Sequence, residues 1–79
     1  MWRLRLAQFL VRALIEEKTL EILKTKYQWN QEKIKKYEKE IALITGGIWW
    51  SSEDPNIKQI KDATLEATSE LHRKIVLDE

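Results

Sequence analysis

Two pairs of ionisable side chains have a spacing that could support chemistry. Arg12 and Glu16 are four residues apart, so a helix would place the guanidinium beside the carboxylate, as in helical-bundle enzymes. The ordinary role of that spacing is a surface ion pair worth a few tenths of a kcal/mol. Glu70 and His72 are two residues apart, whereas bundle metal sites use Glu and His at three-residue spacing on one face. We therefore predict no catalytic residues, no metal site and no bound cofactor.

The composition narrows the chemistry further. The 79 residues include no cysteine and a single histidine, which excludes disulfides, thiolate ligands and thiol nucleophiles. The net charge of +1 gives no broad basic surface for nucleic acid. These features favour a non-enzymatic protein. Nothing in the composition requires an oxidising compartment, and we expect an intracellular, cytoplasmic location.

The charges are unevenly distributed along the chain. Residues 1–15 contain three arginines and no acidic residue, whereas residues 47–79 contain four basic and seven acidic residues. The two parts would therefore attract each other if they folded together. Arg5 and Arg12 are seven residues apart and share a helix face, where they could meet phosphates. A small nucleic-acid-binding regulator that contacts phosphates through Arg5 and Arg12 is the alternative function.

The elements that position these residues are predicted to be helices. Between Leu4 and Ile44 there is no proline and no glycine, which predicts one long helix over residues 2–45. Alternate steps of three and four residues from Leu6 give a heptad seam in which Glu16 and Asn30 are the polar exceptions. A second apolar line runs along the first two thirds of the same helix and comprises Leu4, Val11, Ile15, Ile22 and Trp29.

A second helix is predicted over residues 54–77. Asp54 is a suitable N-cap and Pro55 a suitable first helical residue, while Gly46 is expected to end the long helix as its left-handed residue. The loop over residues 46–53 is short, which favours antiparallel neighbours. The sequence thus predicts an all-α antiparallel helical hairpin that forms a single domain over residues 1–79.

The two predicted helices differ in length. About 44 residues span roughly 66 Å and about 24 residues roughly 36 Å, so the apolar segment 1–20 would overhang its partner. Such an exposed apolar surface exceeds what a soluble monomer tolerates. We expect it to be covered by a second copy in a dimeric four-helix bundle, or by a larger protein that the chain serves as an accessory subunit. The predicted interface comprises Trp2, Leu4, Leu6, Phe9, Leu10, Val11, Leu14, Ile15, Ile22 and Trp29.

A membrane partner is less consistent with the sequence. No run approaches the roughly 18 apolar residues that cross a bilayer, and a helix with two apolar faces does not suit a membrane surface. In the loop, Trp49 and Trp50 are adjacent. We expect one indole to close the end of the hairpin, with its N–H bonded to a carbonyl. The other would be an exposed secondary contact about 60 Å from the overhang.

Overall fold

The structure, a computed structural model, describes the backbone of residues 2–77 and the side chains of residues 12–73. This part of the chain is all-helical, which confirms the predicted fold class. The predicted single helix over residues 2–45 is wrong, because residues 26–30 interrupt it. The longest dimension is 38 Å, whereas that helix would span about 66 Å. The helices are α1 (Trp2–Thr25), α2 (Gln31–Lys36), α3 (Glu38–Thr45) and α4 (Pro55–Leu77).

The chain reverses direction in the turn over residues 26–30. Gln28 adopts a left-handed conformation with φ 57°, and the Trp29 N–H donates to the Leu23 carbonyl at 2.9 Å. Asn30 then starts α2, since its side-chain oxygen accepts from the Lys33 N–H at 2.8 Å. The asparagine that interrupted the predicted seam is therefore a helix N-cap.

Burial of Trp29 accounts for the turn. Its side chain is 4% exposed, its Nε1–H donates to Gln59 Oε1 at 2.7 Å, and its ring lies 5.4 Å from that of Tyr37. Burying an indole with its N–H satisfied stabilises the fold by about 2–3 kcal/mol. Helix propensity differs by less than about 1 kcal/mol per residue among the side chains of the turn. No residue of the turn is a glycine or proline, so we attribute the turn to the tertiary contact of Trp29.

Two glycines end α3 in a Schellman motif. Gly46 is in the right-handed helical region at φ −82°, while Gly47 has φ 96°. The Gly47 N–H donates to the Ile44 carbonyl at 3.1 Å and the Ile48 N–H to the Leu43 carbonyl at 2.9 Å, which are the two bonds of that motif. The left-handed residue is thus Gly47, and the prediction of Gly46 was wrong by one residue.

The start of α4 matches the prediction. Pro55 is its first residue, and Asp54 Oδ1 accepts from the Asn56 N–H at 2.9 Å. The Tyr37 hydroxyl donates to Asp54 Oδ2 at 3.3 Å and accepts from Asn56 Nδ2 at 3.0 Å. The start of α4 therefore lies beside the start of α3, and the residues between the two helices return along α3. The prediction of antiparallel helices on either side of this loop is wrong for α3 and α4.

The antiparallel pair consists of α1 and α4. Lys18 Nζ lies 3.2 Å from a Glu70 carboxylate oxygen, and Lys26 Nζ lies 3.2 Å from Glu66 Oε2, so residue numbers rise in one helix as they fall in the other. The hydrogen bond that Lys18 donates to Glu70 raises the pKa of Lys18, and the one that Lys26 donates to Glu66 raises the pKa of Lys26. Because α1 has 24 residues and α4 has 23, the predicted length mismatch disappears.

The core lies between α1, α4 and the α2–α3 segment. Small residues, including Ala63 and Ala67 of α4, let the helices approach closely. Thr19 is fully buried and its hydroxyl donates to the Ile15 carbonyl at 2.6 Å, which satisfies the hydroxyl inside its own helix. The buried apolar residues are Ile22, Leu23, Trp29, Ile34, Ile41, Ile44, Ile57, Ile60, Ala63 and Ala67.

Leu23→Ala is expected to destabilise this core strongly. Leu23 is 0% exposed, and truncation of a buried leucine lowers the free energy of unfolding by about 2–5 kcal/mol. The matched control is Leu65→Ala, because Leu65 is 56% exposed and surface substitutions change stability by about 0.5 kcal/mol or less. Urea unfolding followed by circular dichroism measures both. Equal losses in the two variants would contradict the packing of Leu23.

Gln59→Leu tests the hydrogen bond that anchors Trp29. Leucine is similar in size but lacks an acceptor, so the buried Nε1–H of Trp29 loses its partner, at a cost of about 1–3 kcal/mol. Gln59→Glu retains an oxygen acceptor at this position and is the control. We expect the leucine variant to unfold at the lower urea concentration. The reverse order would show that the indole N–H does not depend on Gln59.

Candidate interaction surface

Most of the predicted interface lies near the N-terminus of α1. The side chains of Trp2, Leu4, Arg5, Leu6, Phe9, Leu10 and Val11 lie outside the described residues. Their roles as partner or phosphate contacts therefore stay predictions. Arg12, the second predicted phosphate contact, is exposed.

The remaining four predicted interface residues have different environments. Leu14 is exposed and Ile15 is half-buried. Ile22 and Trp29 are buried in the core of the same chain, so a partner cannot reach them in this conformation. The burial of Ile22 and Trp29 therefore needs no partner, because α1 packs against both α3 and α4 of the same chain.

The two loop tryptophans have different environments. Trp50 packs against the core, and its carbonyl accepts a hydrogen bond from Lys61 Nζ. Trp49 is 43% exposed, while its Nε1–H donates to the Ile44 carbonyl at 2.9 Å. The sequence assigned the N–H bond to a carbonyl and the exposed ring to two different indoles, whereas in the structure Trp49 has both.

An exposed apolar cluster surrounds this end of α3. Leu43 is 37% exposed and Ile48 58% exposed, and the backbone bond between them keeps them adjacent. Together with Trp49 they form what we call the end cluster. Sequence reasoning missed Leu43 and Ile48 because neither lies on the heptad seam. A Schellman turn pairs the residue after the left-handed glycine with the residue five positions earlier, and this rule applied to Gly47 would have found both.

A shallow groove of about 290 Å³ lies at the same end of α3, and α1 forms its other wall. Its α3 side consists of Ala42, Thr45 and Gly46, and its α1 side of Arg12, Ala13 and Glu16. The C-terminal end of α3 therefore lies beside residues 12–16 of α1, from which α1 continues into its apolar N-terminal half. The predicted separation of about 60 Å between the loop tryptophans and this half exceeds the 38 Å length of the molecule. The end cluster and this groove together form the end surface.

A second groove, of about 410 Å³, separates α1 from α2 and α3. Apolar side chains of Leu20, Ile34 and Ile41 line it together with polar Glu16, Gln31, Lys35 and Glu38. In the described part of the chain no three His, Cys, Asp or Glu side chains are grouped so that they could hold a metal ion. The groove thus has the character of a helix-packing crevice with a charged rim.

The polar cluster around Tyr37 has a structural role. Asp54 and Asn56 meet the Tyr37 hydroxyl, and Asp54 also caps α4. Lys33 Nζ lies 4.5 Å from the centroid of the Trp29 ring, within cation–π distance. These contacts join the turn, α2 and the start of α4, and they fix the orientation of α4 relative to α3.

No helix in residues 2–77 has an apolar stretch long enough to cross a membrane. Among the described side chains, the other exposed large apolar residues are Leu14 on α1 and Leu65 on α4. The end surface is accordingly the strongest candidate for a functional site. Comparison with protein-family models, with curated proteins and with solved structures finds no match to this chain.

Proposed function

We propose that this chain is a non-enzymatic assembly module that associates with a second copy of itself through the end surface. In that role it would serve as a small accessory subunit of a larger complex. The observation that supports the proposal is the end cluster, in which three large apolar side chains are exposed at one end of α3. Contiguous exposed apolar residues mark interaction sites more often than isolated ones.

The geometry of Trp49 suits an interface. Its Nε1–H already donates to the Ile44 carbonyl, so a partner can cover the exposed part of the ring without leaving a polar group unpaired. Tryptophan is among the residues most enriched at interface hot spots. The two backbone bonds of the Schellman motif hold the neighbouring Ile48 in place, which lowers the entropy lost on association.

The charges beside the end cluster favour a second copy as the partner. Arg12 and Glu16 line the same groove and are both exposed. In a two-fold dimer, a contact between two different residues across the interface occurs twice, once in each direction. Arg12 of each copy can therefore pair with the partner's Glu16.

Nucleic-acid binding has less support. Of the two arginines proposed to meet phosphates, Arg12 shares its groove with the carboxylate of Glu16, which weakens the attraction of an anion. The net charge is +1. Phosphate binding would weaken steeply between low and moderate salt, whereas an apolar interface would not.

Trp49→Ser is expected to weaken self-association at least about tenfold, as removal of a hot-spot aromatic residue does. Sedimentation velocity over a range of protein concentrations, at low and moderate salt, measures the dissociation constant. Leu65→Ser is the control, because Leu65 is also an exposed apolar residue, at 56% against 43% for Trp49, and lies on α4 outside the end surface. A chain that stays monomeric at all concentrations, or a Leu65 variant as weak as the Trp49 variant, would refute the proposal.

Charge reversal tests the predicted contact between Arg12 and Glu16. Arg12→Glu alone and Glu16→Arg alone should each weaken association by about two- to thirtyfold, since an exposed ion pair contributes about 0.2–1 kcal/mol and the dimer contains two such pairs. The double variant exchanges the two charges and should restore the affinity of the original chain. If the double variant is weaker than either single variant, the two side chains do not meet across the interface.

A further inference from the structure

The turn over residues 26–30 interrupts a stretch of sequence that is otherwise suited to helix. There is no glycine or proline from Leu4 to Ile44. The heptad seam continues through the turn, with Tyr27 at an a position and Asn30 at a d position. Gln28 adopts φ 57°, a conformation that glycine adopts readily and that other residues rarely adopt. The turn therefore depends on tertiary contacts, and its own sequence does not favour it.

The contacts that hold the turn are few and identifiable. Trp29 is anchored by its bond to Gln59, Lys26 pairs with Glu66, and Asn30 caps α2. A short hinge that joins two helices and holds a residue in an unfavourable conformation is a known route to the exchange of elements between copies of a chain.

We propose that two copies of this chain exchange α1, with residues 26–30 becoming helical so that α1, α2 and α3 form one long helix. In the exchanged dimer, α1 of each copy packs against α3 and α4 of the other. This proposal goes beyond association through the end surface, because it is derived from the turn and concerns the core.

The helix directions in the folded chain are compatible with exchange. Glu16 and Leu20 line one groove with residues of α2 and α3, and Ala13 lines another with Thr45, so α1 runs antiparallel to α3. In the exchanged dimer, the long helices of the two copies would cross antiparallel at residues 26–30. This crossing would place α1 of one copy on α3 of the other, in the register that α1 and α3 have within one chain. The result is a dimeric four-helix bundle of two long helices and two copies of α4.

The rest of the chain can move as one unit. Tyr37 holds the start of α3 to Asp54 and Asn56 at the start of α4. Lys61 of α4 bonds to the carbonyl of Trp50 in the intervening loop. Because these contacts lie within residues 31–77, they survive the separation of α1. The core contacts of α1 are lost within the chain and regained between copies, so the conformation of the turn decides the balance between monomer and dimer.

Gln28→Gly and Gln28→Ala shift this balance in opposite directions. Glycine favours the left-handed turn and disfavours helix, whereas alanine does the reverse. Each dimer contains two copies of residue 28, so the free-energy difference between the variants counts twice. We expect the dissociation constant of the exchanged dimer to be roughly 400- to 25,000-fold higher for the glycine variant than for the alanine variant. Glu17→Gly and Glu17→Ala are the control pair, because Glu17 is exposed within α1 and helical in both forms.

Cross-linking identifies the exchange directly. One batch of the full chain carries Lys18→Cys and another carries Glu70→Cys, since these two side chains form an ion pair and the chain has no other cysteine. The batches are mixed, refolded together at high protein concentration and treated with a short bismaleimide. Exchange predicts covalent dimers joined between positions 18 and 70. A single chain that carries both Lys18→Cys and Glu70→Cys, refolded at low concentration, is the control. Its intramolecular cross-link shows that the reagent can join the two positions.

The outcomes separate the two proposals. A cross-link between positions 18 and 70 of two copies, formed in lower yield with Gln28→Gly, supports exchange. This holds whether or not Trp49→Ser affects association. Dimers that Trp49→Ser weakens but that give no cross-link between positions 18 and 70 overturn exchange and leave association through the end surface intact. A monomer under all conditions, including the Gln28→Ala variant, overturns both.

Discussion

The burial of Trp29 is the contact on which the architecture of this chain depends. An indole placed between α1, α4 and Tyr37, with its N–H bonded to Gln59, requires the chain to leave the helix after Thr25 and return. Once it returns, α3 covers one side of α1 and α4 covers another. The 22 Å width of the molecule is that of a small helical bundle, since each helix with its side chains is about 10–12 Å across.

This contact also shows why the sequence predicted some elements and not others. The start of α4 was predictable because Asp54 and Pro55 act through local rules for helix N-termini. The end of α1 carries no such signal. Lys26 and Gln28 favour helix, and the residue in the left-handed conformation is a glutamine, where glycine would have marked a turn. Asn30 was the available clue, since a polar residue on an apolar seam is also the residue type that begins helices.

The assignment of the interface depended on that missed turn. With a straight helix, the line that contains Ile22 and Trp29 has no neighbour within the chain and must face a partner. With the turn in place, Ile22 and Trp29 are both buried in the core of the same chain. Four residues of the predicted seam, Leu23, Ile34, Ile41 and Ile44, are buried as well, whereas Ala13 is exposed. Periodicity shows which residues are covered, but it does not show whether the covering element belongs to the same chain.

The same ambiguity applies to the folded molecule, in which α1 could pack against its own chain or against a second copy. The contacts of α1 with α3 and α4 have the same chemistry whether the three helices belong to one chain or to two, so these contacts do not distinguish a closed monomer from an exchanged dimer. The two forms differ at the five residues of the turn, which include Trp29 and its bond to Gln59. In a protein this small, protein concentration and the conformation of one glutamine thus act on the same equilibrium. The end cluster is formed by α3 and the loop that follows it, so exchange would leave it intact. Each exchanged dimer would then present two such clusters, one near each end of the long helix pair, and could hold two partners at once.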